Sequence, residues 1–519
     1  MLHTDASFRW AAKARAATVF CLAGALVGAG LYLGNRAYVL GLSNVFVDAC
    51  STEGSTYLLH KGKTDECVGY TDGSYVFDPR LKDVEDSIKR ENHQVTSQHP
   101  ADYVSVVILL PISSAGASIM SMPNVIDHLR GAYTAQYYAN RGNINGSRPY
   151  IQLLIGNAGN QANQESTATS AIISTATSQH IAAVTGLGVS LTTTQAAADA
   201  LTSARIPVVG SSISSDNFDD IPDLIRVSPS NQQVSQVAVK YARGLSTKAV
   251  LVEDDNANDI YDSNLVTDLG EFQDATHTII GRESYDTTDR DAAPSPRDEL
   301  RSDEYVQDRI KQMVPDICAA QPAVVLFAGR GHDLQSLVGD LANRPRPCLG
   351  KPIRIVTGDD LANLVTSSAV NQGLDRGVAV YYAALADKDE WTTGTGATVP
   401  KGQQGFTTFE SAFRGRFPSV PLAHEDLMMS YDATLTAISA IRLTGRQQPA
   451  AEAVSAELPA LQGVHTVLGA SGPLTFSADR QNSQRSNPVN KAIPMLQYRP
   501  NGDPKLLGLG WSDGKPPSH

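Results

Sequence analysis

Charged residues are scarce in this chain of 519 residues, making up 18% of it against about 25% in typical soluble proteins. Its 42 basic residues are outnumbered by 54 acidic ones, and the sequence has no long basic run. Proteins that bind nucleic acid need a basic footprint for the phosphates, so we expect no nucleic-acid partner. The hydrophobic share of 42% is enough to bury a sizeable core, which excludes wholesale disorder.

The motifs of common enzyme classes are also missing. The sequence has no GxSxG elbow, no P-loop, no HExxH and no complete GxGxxG after a strand. It also has no CxxC or HxxxH pair that would favour a metal site. We therefore predict a protein that is not an enzyme and has no metal or cofactor. His424 beside Glu425 and Asp426 is the nearest approach to a titratable cluster, and we interpret it as a solvated helix start.

Cysteine usage indicates export. Outside an apolar amino-terminal segment the chain has four cysteines, which allow three pairings. Sequence distance favours two local bridges, Cys50 with Cys67 and Cys318 with Cys348. Disulfides persist in an oxidising compartment, so the body of the protein is expected outside the cytoplasm.

An uncharged segment of 20 residues lies between Arg15 and Arg36. About 20 apolar residues span a bilayer as a helix, and basic residues before such a span mark the cytoplasmic side. We expect a cytoplasmic tail at 1–15, a transmembrane anchor at 16–35 and a single-pass cell-membrane protein with its body on the extracellular side. The alternative is a cleaved secretory signal, which would export the same body.

The rest of the chain alternates strands with helices. Residues 36–101 are predicted to be an irregular juxtamembrane region, in which the charged run RLKDVEDSIKRENH indicates a solvated helix. From Tyr103 to Gly210, β-branched runs such as YVSVVILLP alternate with helical patterns, and the alternation restarts near residue 232. This pattern predicts an α/β fold with two doubly wound parallel-sheet lobes.

Four segments occur in the same order as in a known family: VTGLGVSLTTTQ (184–195), RIPVVGSSISSDNF (205–218), SYDATLTAISAI (430–441) and GASGPLTFSADRQN (469–482). With them the chain resembles the type 1 periplasmic binding proteins of the branched-chain amino-acid group, over about residues 102–505. The resemblance implies two lobes joined by three hinge crossovers and a small ligand captured between them. An ABC permease or a membrane sensor is the implied partner. The alternative is an extracellular interaction or receptor module that keeps the fold without transport.

The lobe boundaries are expected at 102–227 and 385–465 for lobe 1, and at 230–380 and 466–505 for lobe 2. The crossovers are then expected near 227–230, 380–385 and 465–469.

Ligands of doubly wound sheets bind beyond the carboxyl ends of strands, so the loops there contain the candidate site. A zwitterion needs hydroxyl and N–H donors for its carboxylate, helped by a helix amino end. We expect Ser190, with Thr192 to Thr194 opening the next helix, to supply these donors. Ser212 and Ser214 provide a second such loop.

The ammonium group of such a ligand needs an acceptor, and either Asp359 or Asp360, which follow the strand IRIVTG, is placed to supply it. The resemblance implies the same role for Asp359 and a ligand-facing position for Tyr261. Arg330 stands where the branched-chain binders present aromatic residues, which removes the ground for branched-chain specificity. Its guanidinium is expected either to pair with a polar or anionic ligand group or to form a salt bridge between the lobes. The expected ligand is a small, polar, amino-acid-like molecule.

Overall fold

In the computed structural model, the chain is folded around two β-sheets whose central strands run parallel. The structure describes residues 50, 58–62, 66–112, 119–142, 144–160, 162, 164–291, 293, 296–361, 364, 367–422, 425–479, 482–500 and 504–514. Of the separate unit Met1–Glu53 only Cys50 belongs to this set, so the predicted tail and anchor lie outside it. Within the described residues, no helix has the length and apolarity needed to cross a bilayer.

Lobe 1 is built on the first sheet. Its strands in the described part of the chain are β1 (Leu58–Lys61), β2 (Cys67–Thr71), β3 (Tyr103–Leu110), β4 (Tyr150–Asn157), β5 (Ile181–Gly186), β6 (Val208–Gly210) and β7 (Leu224–Arg226). They lie in the order β1-β2-β4-β3-β5-β6-β7. Strands β3 to β7 run parallel, whereas β1 and β2 form an antiparallel edge.

Lobe 2 is built on the second sheet. Its strands, again among described residues, are β8 (Lys248–Asp254), β9 (Thr278–Tyr285), β10 (Val324–Ala328), β11 (Ile353–Thr357), β12 (Val378–Ala383), β15 (Ala492–Gln497) and β16 (Lys505–Trp511). Their order is β16-β15-β12-β11-β10-β8-β9, and the first two run antiparallel to their neighbours. The central strands β5 and β10 are buried at every residue. Burial on both faces is typical of a sheet covered by helices on both sides.

The helices follow the strands in alternation. In lobe 1 they are α1 (Lys82–Gln98), α2 (Met122–Ala139), α3 (Glu165–Thr175), α4 (Thr192–Ser203), α11 (Pro400–Arg416), α12 (Glu425–Leu443) and α13 (Ala451–Glu457). In lobe 2 they are α5 (Asn231–Leu245), α6 (Ile260–Gly270), α7 (Thr288–Asp291), α8 (Pro296–Ala320), α9 (Gly331–Asp340) and α10 (Ser368–Asp375). The prediction of two α/β lobes is therefore right, although each sheet is mixed at one edge.

Helix α1 corrects the prediction of an irregular juxtamembrane region with a solvated helix. Val84, Ile88 and Val95 are buried on one side of α1, where their spacing of four and seven residues forms an apolar stripe. Asn92 exchanges two hydrogen bonds with the backbone of Leu153 in β4, at 2.7 and 2.9 Å. Since β2 also pairs with β4, lobe 1 begins well before residue 102.

The chain passes between the lobes three times. It leaves lobe 1 after β7 and enters lobe 2 with α5, and it returns between β12 and α11. The third passage lies later than 465–469, because the hairpin of β13 (Val467–Gly469) and β14 (Gly472–Leu474) packs on α11 and α12. In α12, the buried carboxylate of Asp432 accepts hydrogen bonds from the amides of Ala470 and Ser471, which holds the hairpin on lobe 1.

The third passage begins near a wholly buried guanidinium at the end of β7. The Arg226 side chain donates to the carbonyl oxygens of Ile213 and Ser215, at 3.2 and 2.6 Å, and to the side chains of Asp219 and Asn487. Its backbone N–H donates to the carbonyl of Ser486. Lobe 1 therefore extends to about residue 487, and the chain rejoins lobe 2 at β15.

The predicted bridge between Cys318 and Cys348 is confirmed. It links the end of α8 to the loop before β11, with 5.2 Å between the Cα atoms. Cys50 and Cys67 are both disulfide-bonded as well. Their pairing with each other stays a prediction.

Close packing of α2 against α12 yields a stability prediction. A Cβ atom added at Gly131 in α2 would lie 2.3 Å from the carbonyl oxygen of Leu427 in α12, so Gly131→Ala must push two helix backbones apart. We expect Gly131→Ala to lower the free energy of unfolding by about 1–3 kcal/mol, as overpacked cores do. Gly244→Ala in α5 is the matched control, because its Cβ would meet nothing within 4 Å. It should stabilise by up to about 1 kcal/mol. Urea denaturation measures both, and equal effects of the two substitutions would contradict the packing argument.

Candidate functional site

Six of the residues that the sequence predicted for the site line one cleft between the lobes, whereas Thr192 to Thr194 do not. Lobe 1 contributes the three predicted serines, and lobe 2 contributes Tyr261, Arg330 and Asp359. Met120, Val189 and Leu385 form an apolar part of the wall. The cleft has a free volume of about 40 Å³, which is room for about three water molecules. In this conformation the two lobes are closed.

Ser190 lies in the loop after β5 and is buried. Its Oγ accepts hydrogen bonds from the backbone amides of Ser214 and Ser215, at 3.1 and 3.2 Å, so it ties the two serine loops of lobe 1 together. Its carbonyl oxygen accepts from the amide of Tyr261 across the cleft, at 3.3 Å. Ser190 is thus both a wall of the cleft and a contact that closes it.

The helix start after Ser190 does not serve as predicted. The side chains of Thr192 and Thr193 are exposed, and the amide of Thr192 donates to the carbonyl of Asn258 in lobe 2. Neither these residues nor Thr194 line the cleft. The expectation that this helix end faces the ligand is therefore wrong, because α4 uses its first turn to contact lobe 2.

The hydroxyls of the second serine loop point at carboxylates. Ser212 Oγ donates to Asp426 Oδ1, and Ser214 Oγ donates to Asp359 Oδ2, both at 3.1 Å. The second of these bonds joins lobe 1 to lobe 2. These two donors, which the sequence assigned to a ligand carboxylate, are engaged within the chain.

Asp359 follows β11 and is 6% exposed. Its Oδ1 has no hydrogen-bond partner among the described residues, while its Oδ2 accepts from Ser214. Burial raises the pKa of Asp359 from 3.8 to about 7, and the neighbouring carboxylate of Asp360 acts in the same direction. A buried oxygen without a partner is costly in a folded protein. Asp359 lines the cleft, so its carboxyl group is close to the space that a ligand N–H would occupy.

Tyr261, in the first turn of α6, supports the loop that carries Asp359 and Asp360. Its hydroxyl accepts a hydrogen bond from the backbone N–H of Asp360 at 3.1 Å. A Cβ atom at Gly358 would lie 2.7 Å from the same hydroxyl, so the loop can approach Tyr261 only because residue 358 is glycine. Tyr261 lines the cleft and also positions the Asp359–Asp360 pair.

Of the two roles predicted for Arg330, the salt bridge between the lobes is wrong. Its guanidinium makes two hydrogen bonds of 2.8 Å to the carboxylate of Asp259, which caps α6 in the same lobe. It also lies 3.6 Å from Asp360 and stacks over the ring of Tyr261 at 4.4 Å. Across the cleft it reaches only the carbonyl of Ser190, at 3.4 Å. It is therefore not in a salt bridge between the lobes.

Two carboxylates of the cleft were misjudged from the sequence. Glu425 and Asp426 open α12 and line the cleft, whereas the sequence suggested a solvated helix start. Glu425 Oε2 accepts from the amide of Leu385 at 2.7 Å, and burial raises the pKa of Glu425 well above its usual value. Asp426 Oδ1 lies 3.1 Å from Nε2 of the buried His128. Two acidic residues at the start of an otherwise apolar helix could have indicated this position. The prediction missed them because it considered only the loops that follow strands. His424 lies outside the described residues.

A second titratable cluster, on lobe 2, is formed by Asp303, His332 and Asp333. The guanidinium of Arg290 lies among these groups and donates to both oxygens of Asp333. His332 Nε2 lies 3.2 Å from Asp303 Oδ1, and this contact raises the pKa of His332. A cation is thus already supplied by the chain, which makes this cluster an ion-pair network.

Solved structures with the same architecture are known, although no protein-family model and no curated protein sequence matches the chain. One is an ABC transporter substrate-binding protein of Desulfitobacterium hafniense in complex with leucine, with 14% identity and a TM-score of 0.56. The match covers 78% of this chain and 100% of that one. The chain has the type 1 periplasmic binding protein fold.

Two further structures with the type 1 periplasmic binding protein fold match over similar lengths. The branched-chain amino-acid transporter substrate-binding protein of Streptococcus pneumoniae, in complex with isoleucine, has 16% identity and a TM-score of 0.54. It matches 79% of this chain and 99% of its own. A solute-binding protein of an R. palustris ABC transporter, in complex with 4-hydroxybenzoate, has 12% identity and a TM-score of 0.56 over 79% and 97%. At such identities the similarity establishes the fold.

The raised pKa of Asp359 makes stability depend on pH in this type 1 periplasmic binding protein fold. The unfolded chain releases the proton near pH 3.8 and the folded chain near pH 7, so folding takes up a proton between these values. Stability should therefore fall as pH rises from about 4 to 7. The charged or titratable groups around Asp359 are Asp360, Glu425, Tyr261, Arg330 and Arg226.

We expect Asp359→Asn to lose less of its melting temperature between pH 5 and pH 8 than the wild type loses, since an amide does not titrate. The control is Asp375→Asn, an exposed position in α10 of the same lobe. Thermal unfolding at four pH values measures the difference. Parallel curves for Asp359→Asn and wild type would show that Asp359 does not titrate with the folding reaction.

Proposed function

We propose that this protein is a membrane-tethered, extracellular solute-binding protein that closes its two lobes on a small polar ligand carrying an ammonium group. It delivers the ligand to an ABC-type permease or signals its presence. The observation that carries the proposal is the carboxyl group of Asp359, which lines the cleft between the lobes and whose buried Oδ1 has no hydrogen-bond partner in the part of the chain that the structure describes.

The contacts between the lobes support a clamp. They include hydrogen bonds from Ser214 to Asp359, from the amide of Tyr261 to the carbonyl of Ser190, and from the amide of Thr192 to the carbonyl of Asn258, all made by loops and first helical turns that follow strands. Such bonds can be exchanged for water when the lobes separate. A ligand shifts the population toward the closed state by its greater affinity for that state.

The structural relatives support the same proposal. The D. hafniense and S. pneumoniae proteins are substrate-binding proteins solved with leucine and isoleucine, and the R. palustris protein was solved with an aromatic acid. All three are substrate-binding or solute-binding proteins, and we propose binding without catalysis for this chain.

The tether rests on the uncharged segment at 16–35 and its basic flank. We expect the full chain to stay in the membrane pellet when membranes of expressing cells are washed with alkaline carbonate. Release into the supernatant would contradict the tether and leave the ligand-binding proposal intact.

One observation favours the second candidate, an extracellular interaction module that binds no solute. The cleft has a small free volume of about 40 Å³, and hydrogen bonds between residues of the two lobes cross it. In that case the closed state needs no ligand. A ligand screen separates the two candidates, because a ligand that binds only the folded state at 100 times its Kd adds about 2.7 kcal/mol of stability.

The screen uses the full chain in detergent and follows unfolding by tryptophan fluorescence, since Trp391 and Trp511 are buried. Amino acids, amines, amides, nucleosides and small aromatic acids are added singly at millimolar concentration. A raised melting temperature with at least one compound is expected. No shift with any compound would contradict the solute-binding proposal and favour the interaction module.

For a compound found in this way, Asp359→Ala should weaken binding by about 2–5 kcal/mol, roughly 30-fold or more, because it removes the partner of a buried ammonium group. Tyr261→Phe should cost less, since it removes one hydroxyl that supports the loop. Asp375→Ala, at an exposed position, should bind as the wild type does. Isothermal titration calorimetry gives the affinities. Wild-type affinity in Asp359→Ala would show that the site is assigned wrongly.

A further inference from the structure

The charges of the cleft are unbalanced. Among the described residues that line it, four carry carboxyl groups: Asp359, Asp360, Glu425 and Asp426. Arg330 is the one guanidinium in this lining: its Nε and Nη2 donate to the carboxylate of Asp259, and its Nη1 lies 3.6 Å from the carboxylate of Asp360. The cleft therefore offers acceptors and negative charge.

The donors that a ligand carboxylate needs are engaged elsewhere. The Ser212 and Ser214 hydroxyls donate to Asp426 and Asp359. The amide of Ser214 donates to Ser190, whose hydroxyl keeps one proton for a ligand oxygen. The amino end of α4 contacts lobe 2 rather than the cleft. The single hydroxyl proton of Ser190 is enough to bind a neutral ligand oxygen, but it does not balance the charge of a ligand carboxylate.

The repulsion on a ligand carboxylate would be strong because the site is buried. Asp359 is buried and Glu425 is half-buried, and the carboxylate of Asp359 helps to raise the pKa of Glu425. Charges of the same sign brought together in a desolvated site cost several kcal/mol. An ammonium or amidinium group in the same place is attracted by the carboxylates. It can also donate a hydrogen bond to Asp359 Oδ1, which accepts none from the described residues.

We propose that the ligand is a compact organic cation, a primary amine or amidine whose other polar group is neutral, and that a free carboxylate is selected against. This inference rests on the proposed function, since it names the ligand class of the same cleft. It differs from the leucine, isoleucine and 4-hydroxybenzoate complexes of the structural relatives, whose ligands all carry a carboxyl group.

A matched set of three small probes tests the inference on the full chain. L-alaninol has the amine and a neutral hydroxyl, L-alanine has the amine and a carboxylate, and propionate has the carboxylate alone. Calorimetry should give at least about tenfold tighter binding of alaninol than of alanine, and no binding of propionate. Alanine binding as tightly as alaninol would overturn the inference and leave solute binding standing.

Other outcomes are equally decisive. Failure of all three probes while a library compound without an amine or amidine group binds would show that the ligand class is wrong and that the proposed function stands. Failure of every library compound would defeat the proposed function itself. Calcium chloride that stabilises the chain as much as alaninol does, and is lost in Asp359→Ala, would show that the carboxylates form a metal site instead.

A charge variant tests the cause of the selection. Glu425→Gln replaces one carboxyl group of the cleft by an amide that cannot ionise beside a ligand, and it keeps an oxygen for the amide of Leu385. The preference for alaninol over alanine should fall several-fold in this variant. Glu452→Gln, at an exposed position of α13 in the same lobe, should leave the preference unchanged. An unchanged preference in a folded Glu425→Gln variant would overturn the electrostatic explanation.

Discussion

The buried guanidinium of Arg226 is the interaction on which the geometry of the cleft depends. A charge removed from water must be matched by partners, and Arg226 finds them in two carbonyls of the Ser212–Ser215 loop, in Asp219 and in Asn487. The carbonyls and Asp219 lie shortly before Arg226 in the chain, whereas Asn487 lies 261 residues after it. The same side chain therefore holds the serine loop in place and fixes where the chain starts its third passage between the lobes.

Once the serine loop is held, the polarity of the cleft follows. Ser190 Oγ accepts the amides of Ser214 and Ser215, so the two hydroxyls of the loop are turned toward Asp426 and Asp359. Lobe 2 then faces lobe 1 with carboxylates whose nearest cation is already paired with Asp259. The result is a cleft that is closed by its own hydrogen bonds and is negative in character, which is the basis for expecting a cationic solute.

Local patterns predicted most of the fold but misplaced two pieces of it. The strand and helix alternation was readable because each strand is a short β-branched run and each helix has its own apolar stripe. Helix α1 looked solvated because charges outnumber apolar residues in it, although Val84, Ile88 and Val95 share one face. The hairpin at 467–474 could not be assigned to a lobe, because what holds it there is Asp432, a residue 35 positions earlier.

The sequence by itself indicated where the candidate site lies. Parallel strands of one sheet end at a common edge, which groups Ser190, Ser212 and Ser214 in lobe 1 and Arg330 and Asp359 in lobe 2. The family resemblance added Tyr261 and the expectation that the two edges face each other. Only the tertiary structure decided what these groups can bind. Hydrogen-bond direction and ion pairing depend on which side chains come together across the fold, as Arg330 does with Asp259 and Ser214 with Asp359. Glu425 and Asp426 joined the cleft for the same reason: α12 carries them there from a distant part of the chain.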